Sequence, residues 1–99
     1  MRNPAYAGVA KAPDKNMYYV YILRSAIMGR YYVGHTNNLQ SRLGRHNDGL
    51  VTSTKHGGPW TIIHTEKYKT KPEAMRRELE IKKYKGGILF KRLIGLWKE

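Results

Sequence analysis

The chain has 99 residues, which is the usual size of one compact domain and allows a modest hydrophobic core. It contains 19 lysine and arginine residues against seven aspartate and glutamate residues, and its formal net charge is +12. This excess predicts a polyanionic partner, either nucleic acid or an anionic membrane surface. The absence of cysteine excludes disulfide bonds and thiolate metal sites.

The sequence favours nucleic acid over a membrane. No apolar run approaches the ~20 residues of a spanning helix, and the N-terminal residues lack the continuous apolar segment of a signal peptide. The four histidines form no compact pair of the kind that binds zinc. We therefore expect a soluble, cytoplasmic protein that binds nucleic acid, with DNA favoured as the partner and no membrane role; no protein partner is predicted.

The N-terminal half predicts an arm followed by a β-hairpin. Residues 1–16 contain two prolines and no usable period, so we expect a flexible arm before a domain over residues 17–99. Residues 18–23 are β-branched and aromatic, which is typical of a strand, with odd-numbered side chains on one face and even-numbered on the other. Residues 25–29 supply a turn with a glycine, and residues 30–34 predict the antiparallel partner strand.

The next element is a helix that begins at a cap, Asn37 or Asn38, and ends near Asn47. Leu39 and Leu43 form its apolar seam. A polar loop then leads to a third strand over residues 60–68, where Trp60 is expected in the core rather than stacked on a base.

Two helices are expected to complete the fold. Residues 70–73, Thr-Lys-Pro-Glu, match a capping box that opens a helix reaching about Lys85, and residues 88–97 predict a last helix packed on the sheet. The order β-β-α-β-α-α predicts an α+β domain with a three-stranded antiparallel sheet flanked by helices.

Glu78 is the residue with the clearest chemical implication. At 100° per residue, the helix that contains it has an apolar arc of four residues: Ala74, Met75, Leu79 and Ile81. Glu78 lies near the centre of that arc, where an ionised carboxylate is costly unless it is paired or bound to a metal. Two interpretations are open: an ion pair with a base such as Arg42 or Lys82, or a Mg²⁺ site completed by water and phosphate oxygens.

Two tyrosines and an arginine are candidate reactive groups. Arg42 could bind a phosphate through its planar donors, although a surface role is commoner for a helix arginine. Tyr21 and Tyr32 could simply pack in strands, since a phenol with a pKa of about 10 needs a cation, a metal or a proton relay to act as a base. His35 and His46 are candidates for that relay, for phosphate contacts or for exposed polar residues.

The remaining basic residues fit electrostatic contact with a nucleic-acid backbone. They concentrate in the second half of the chain, and with Arg42 the predicted nucleic-acid contacts are Lys55, His56, Lys82 and Lys83. Charge alone indicates the class of partner and no reaction.

These motifs, in this order, resemble the GIY-YIG nuclease family over residues 18–97. The chain is similar to its small stand-alone members, which resemble the N-terminal nuclease module of the excision-repair C subunit. Residues 19–21, Tyr-Val-Tyr, stand at the first motif with Tyr19 in place of its glycine, and residues 32–34, Tyr-Val-Gly, stand at the second. Residues 34–42 resemble the run into the catalytic arginine, and residues 74–83 resemble the segment that bears the metal-binding glutamate.

The resemblance implies a metal-dependent endonuclease that hydrolyses DNA phosphodiester bonds, with selectivity for branched or damaged structures in repair or recombination. It implies that Tyr32 lies beside the attacking water as base or relay and that Tyr21 positions water or phosphate. Arg42 would bind the scissile phosphate, and Glu78 would ligate Mg²⁺ or Mn²⁺.

His35 and His46 complete the implied catalytic set. His46 stands where some members carry histidine, and His35 stands where repair relatives often carry lysine. Phe90 stands where many members carry an asparagine. Two alternatives stay open: a DNA- or RNA-binding module that keeps the fold without hydrolysis, and a basic adaptor protein, which would leave Glu78 unexplained.

Overall fold

The computed structural model of the chain describes residues 16–96, which form three strands and three helices. The elements are β1 (Tyr18–Ser25), β2 (Tyr31–Thr36), α1 (Leu39–Asn47), β3 (Trp60–Tyr68), α2 (Lys71–Lys83) and α3 (Ile88–Leu93). The predicted order and the α+β class are confirmed. Apart from Asn16, the predicted flexible arm lies outside the described residues.

The sheet is antiparallel and has β1 at its centre, in the order β2-β1-β3. In the register of β1 with its neighbours, Tyr21 lies opposite Gly34 of β2 and Thr65 of β3. A central strand covered on both faces needs apolar residues in succession, which explains why β1 has a nearly continuous apolar run. Since the strand order places β2 at an edge of the sheet, one side of β2 is open to other elements or to a ligand.

The two faces of the sheet carry separate cores, as the alternation along β1 predicted. One core joins the sheet to α1 and consists of Tyr19, Tyr21, Leu23, Leu39, Leu43, Trp60 and Ile62. The other joins the sheet to α2 and α3 and consists of Val20, Ile22, Val33, Ala74, Ile81 and Phe90. Trp60 lies in the first core, so the prediction that it is a core residue is confirmed.

Both predicted helix caps are present. The Asn38 side chain accepts a hydrogen bond from the backbone N–H of Ser41, and the Thr70 hydroxyl accepts one from that of Glu73. The expected ends of the last two helices were too late. α2 ends at Lys83, and Lys85 takes a positive φ of 49°, which is incompatible with a continuing helix. α3 ends at Leu93 rather than residue 97, shortly before Gly95 takes a φ of +82°.

The predicted apolar arc of α2 was wrong in half of its members. Met75 is 43% exposed and Leu79 is 57% exposed, whereas Ala74 and Ile81 are buried. The side of α2 that faces the sheet continues through the half-buried residues Arg77 and Glu78. A helical wheel that considers only residue type misses this face, because the charged side chains on it have partners on the strands.

The partner of Arg77 is Glu66 of β3. Nε and Nη2 of Arg77 donate to the two oxygens of Glu66 at 2.7 and 3.1 Å, and Nε2 of His64 and the Tyr68 hydroxyl donate to the same carboxylate at 2.8 and 2.7 Å. Burial alone would raise the pKa of Glu66, but these hydrogen bonds outweigh it and lower that pKa to about 2. This carboxylate therefore ties α2 to the sheet and sets the position of the rest of the helix.

None of the three helices in residues 16–96 combines the length and the apolar character that crossing a bilayer requires.

Replacing Glu66 should destabilise the fold more than replacing the other carboxylate that contacts Arg77, Glu80. Glu66→Gln removes the charge from a half-buried network, and we expect it to lower the free energy of unfolding by about 1–3 kcal/mol. Glu80→Gln alters an exposed pair and should change it by less than about 0.5 kcal/mol. Urea denaturation at pH 7 measures both, and equal losses would contradict the assigned role of Glu66.

Candidate active site

The site begins with a close approach between the two central motifs. Tyr21 of β1 faces Gly34 of β2, and a Cβ atom on Gly34 would lie 2.5 Å from the Tyr21 hydroxyl oxygen. No side chain fits in that space, so the glycine allows the phenol to lie across the edge strand. Tyr32 is two residues before Gly34, and the two share one face of β2 as predicted.

Tyr21 is the start of a buried hydrogen-bonded chain. Its hydroxyl lies 2.9 Å from Nε2 of His46, and Nδ1 of His46 lies 2.7 Å from the Thr54 hydroxyl. Tyr21, His46 and Thr54 are all 2% exposed or less. His46 therefore lies beside Tyr21, as predicted, and its alternative as an exposed polar residue is wrong. The catalytic roles of both residues stay predictions.

The protons of this chain can be assigned from its partners. Burial lowers the pKa of His46 to about 4, with Arg42 and Arg45 adding to the effect, so the imidazole is neutral at pH 7. A neutral imidazole has one donor and one acceptor nitrogen. The Thr54 hydroxyl donates to the backbone oxygen of Val51 at 3.4 Å. It therefore accepts from Nδ1 of His46, and Nε2 accepts the proton of Tyr21.

Tyr32 differs from Tyr21 in its access to solvent. The Tyr32 ring centroid lies 4.7 Å from that of His46 and 6.2 Å from that of Tyr21, yet Tyr32 is only half-buried. Burial raises the pKa of Tyr21 well above the ordinary 10.0, and its neighbour Tyr32 adds to the rise. Tyr21 thus stays protonated, and Tyr32 is the tyrosine that a bound substrate can reach.

Arg42 and His35 line one polar pocket of about 200 Å³. The pocket lies between β2, the start of α1 and the first turn of α2, and its other lining residues are Tyr18, Thr36, Asn37 and Lys71. Both Arg42 and Glu78 act electrostatically on Tyr21. The structure therefore brings the predicted arginine, histidine, tyrosines and glutamate into one neighbourhood.

Glu78 is held by two basic side chains. Its Oε1 lies 2.7 Å from Nδ1 of His35, its Oε2 accepts from Nζ of Lys82 at 2.7 Å, and the side chain is 15% exposed. The ion pair is thus formed with Lys82 and not with Arg42, and His35 adds a hydrogen bond to the same carboxylate. Helix spacing explains the contact with Lys82, which is four residues on.

The donor set limits how a metal could bind. Within residues 16–96, no group of three His, Cys, Asp or Glu residues could hold a metal ion. Glu78 alone fits a hard cation such as Mg²⁺ or Mn²⁺, which can take one carboxylate and complete its shell with water and phosphate oxygens. Each of its oxygens accepts one hydrogen bond, so a cation would share the carboxylate with Lys82 and His35.

The remaining predicted contacts are distributed more widely. Lys55 and His56 are exposed in the loop after Thr54, and Lys83 is exposed on α2. Neither Lys55 nor His56 lines the polar pocket.

Sequence reasoning missed two residues of the site. Lys71 lies in the first turn of α2, where a lysine resembles any other surface base. Thr54 lies in an aperiodic loop, and the only signal that could have found it was the need of a buried His46 for a partner.

Comparison with known proteins is consistent with this geometry. Residues 17–88 match the model of the GIY-YIG catalytic domain. A UPF0213 protein of Halobacterium salinarum is 42% identical over 67 residues, which are 67% of this chain and 86% of that protein. A UPF0213 protein of Oceanobacillus iheyensis is 41% identical over 66 residues, which are 66% of this chain and 76% of that protein. The solution NMR structure of a UPF0213 protein from Bacillus halodurans is 32% identical, has a TM-score of 0.52 and covers 81% of this chain and 84% of its own.

The buried neutral His46 predicts a pH dependence of stability. Folding lowers the pKa of His46 from 6.5 to about 4, so the unfolded chain binds the proton more readily. The contribution of His46 is complete above pH 6.5 and is lost as the pH falls toward 4, at a cost on the order of 2–3 kcal/mol.

Urea denaturation between pH 4 and 7 measures this loss. The His46→Gln variant should lack that component of the slope, while His56→Gln, at an exposed histidine, should keep the wild-type profile. Parallel profiles for His46→Gln and the wild type would contradict the assignment.

Proposed function

The chain belongs to the GIY-YIG family, and we propose that it is a metal-dependent endonuclease that hydrolyses phosphodiester bonds in DNA. The convergence of Arg42 and His35 on one polar pocket, with His35 bonded to Glu78, supports this proposal most directly. A net charge of +12 favours a polyanionic substrate.

In this proposal Arg42, which lines the polar pocket, binds the scissile phosphate. Its planar guanidinium can donate two parallel hydrogen bonds to phosphate oxygens and can stabilise the charge added in the transition state. Lys71 lines the same pocket and can contact an adjacent phosphate. The pocket thus offers cationic and neutral hydrogen-bond donors to one phosphate group.

Tyr32 is the group that meets the attacking water. Water attacks phosphorus in line with the leaving 3′ oxygen, and the bond from phosphorus to that oxygen breaks. The proton of the water passes to the oxygen of Tyr32, and the 3′ oxygen takes a proton from solvent. A protonated phenol accepts that proton only while it gives up its own, and solvent can take the proton of the half-buried Tyr32.

The buried chain behind Tyr32 has a positioning role. The Tyr21 hydroxyl donates a hydrogen bond to His46 and keeps its proton, and Thr54 fixes the tautomer that accepts this bond. Because the pKa of His46 is lowered to about 4, the imidazole is a weak base and does not store the proton of the water. Tyr21 and His46 instead hold the ring of Tyr32 and the C-terminal end of α1 in register.

Glu78 is the residue that would hold Mg²⁺ or Mn²⁺. When bound, such an ion would supply positive charge that stabilises the negative charge on the leaving oxygen and the scissile phosphate. His35 and Lys82 bind the Glu78 carboxylate between substrates and hold it in one orientation.

A single small domain has little surface with which to specify a long sequence. We therefore extend the proposal to recognition of DNA structure, such as branched or damaged sites in repair or recombination.

A nucleic-acid-binding module without hydrolysis is the second candidate. Both oxygens of Glu78 are engaged by bases, which favours a structural ion pair. Such a module would bind DNA or RNA regardless of divalent ions and would release no product.

Removing the proposed metal ligand should abolish cleavage. Glu78→Ala should yield no product above background, while its affinity for DNA stays within about 3-fold, because the residue contacts a metal and not a phosphate. The assay uses end-labelled single-stranded, duplex, flap and four-way-junction DNA with Mg²⁺, Mn²⁺ or chelator. Glu73→Gln, at an exposed position of the same helix, is the matched control.

Wild-type activity in Glu78→Ala would remove the metal assignment. If no substrate gives product with the unmodified protein and binding is unaffected by the ion, the binding module replaces the nuclease.

A further inference from the structure

A second concave surface lies at the other end of β2 from the polar pocket. This edge groove has a volume of about 360 Å³ and lies between β2, the end of α2 and α3. Its apolar wall is formed by Tyr31, Val33, Ile81 and Phe90, and its basic residues are Lys82 and Lys85. The volume falls in the range of small-molecule sites in proteins, about 300–1,000 Å³.

The aromatic wall of the edge groove has a fixed shape. Tyr31 is half-buried, and its ring meets that of the buried Phe90 edge to face, with centroids 5.2 Å apart and planes at 69°. Such contacts restrain the ring, because it cannot turn without losing the pair. The groove thus presents a held aromatic side chain to any planar ligand.

The charge of the edge groove is positive. Lys82 and Lys85 line it, and no carboxylate is among its lining residues in the described chain. Lys85 takes a left-handed conformation and is followed by Gly86 at a φ of +74°, so the turn after α2 determines where this lysine leaves the backbone. An apolar, aromatic interior beside two lysines suits a ligand with a flat uncharged part and an attached anion.

The edge groove is continuous with the candidate active site. Tyr32 lines the groove and also lies 4.7 Å, centroid to centroid, from His46. Lys82 lines the groove and donates to Glu78 at 2.7 Å. A polymer that passes the active site can therefore place a neighbouring unit in the groove.

We propose that the edge groove is a subsite for one unpaired nucleobase of the bound strand, with the adjoining phosphate beside Lys82 and Lys85. The identity of the ligand rests on the proposed function, since the groove adjoins the site where that strand would be cut. Bases in single strands stack on aromatic side chains without regard to sequence, whereas paired bases in a duplex are not free to do so. The subsite therefore selects single-stranded or extruded nucleotides.

The test measures binding without cleavage. A single-stranded oligonucleotide that contains 2-aminopurine is titrated with the protein in chelator, and quenching of the analogue reports stacking. Tyr31→Leu should weaken binding roughly 5- to 50-fold and reduce the quenching, and Tyr31→Phe should keep both. Wild-type affinity and quenching in Tyr31→Leu would overturn the subsite.

A second variant covers the case in which Tyr31→Leu fails to fold. Lys85→Gln changes an exposed residue and should lower the slope of log Kd against log salt by about 0.7, the single-strand value for one phosphate. Lys69→Gln removes the same charge beyond β3, at the opposite edge of the sheet, and should leave the quenching unchanged. An unchanged salt slope in Lys85→Gln would also overturn the subsite.

The subsite and the nuclease can fail separately. Loss of quenching in Tyr31→Leu, with no cleavage by the unmodified protein on any substrate, supports the subsite and contradicts the nuclease. Metal-dependent cleavage together with wild-type binding by Tyr31→Leu supports the nuclease and contradicts the subsite.

Discussion

The candidate site depends on the space that Gly34 leaves for Tyr21. A Cβ atom at Gly34 would lie 2.5 Å from the phenol oxygen, so only glycine lets that ring extend over the edge strand and reach His46. His46 in turn is buried, neutral and bonded to Thr54, which joins α1 to the loop before β3. Displacing the phenol would leave a buried imidazole without its partner, a loss of about 1–3 kcal/mol.

The other half of the site depends on charged residues that face the sheet. Arg77 binds Glu66 of β3, and one residue later Glu78 meets His35 of β2. The pair of Arg77 with Glu66 fixes where α2 lies along the sheet and how it is rotated about its axis. The contact of Glu78 with His35 places a carboxylate beside the edge strand. A helix whose inner side carries these groups gains less from apolar burial, but it holds the Glu78 carboxylate at a fixed place.

Local patterns in the sequence predicted much of this arrangement, and long-range partners account for what they missed. Alternation along the strands placed Tyr32 and Gly34 on one face, because side chains in a strand alternate whatever lies around them. The arc of α2 failed at Met75 and Leu79 because residue type does not show which charged side chains have partners on a sheet. Thr54 was missed since its role depends on His46.

The proposed role of Tyr32 is tested most directly by the single-turnover cleavage rates of Tyr32→Phe and Tyr21→Phe on one DNA substrate with Mg²⁺. The affinity of each variant for that DNA is measured in parallel. We expect Tyr32→Phe to lose at least ~10²-fold in rate at unchanged affinity, because its oxygen takes the proton of the attacking water. Tyr21→Phe should lose less, since its hydroxyl only orients neighbouring groups. A wild-type rate in Tyr32→Phe, or a larger loss in Tyr21→Phe, would contradict the assignment of Tyr32 as the group that meets water.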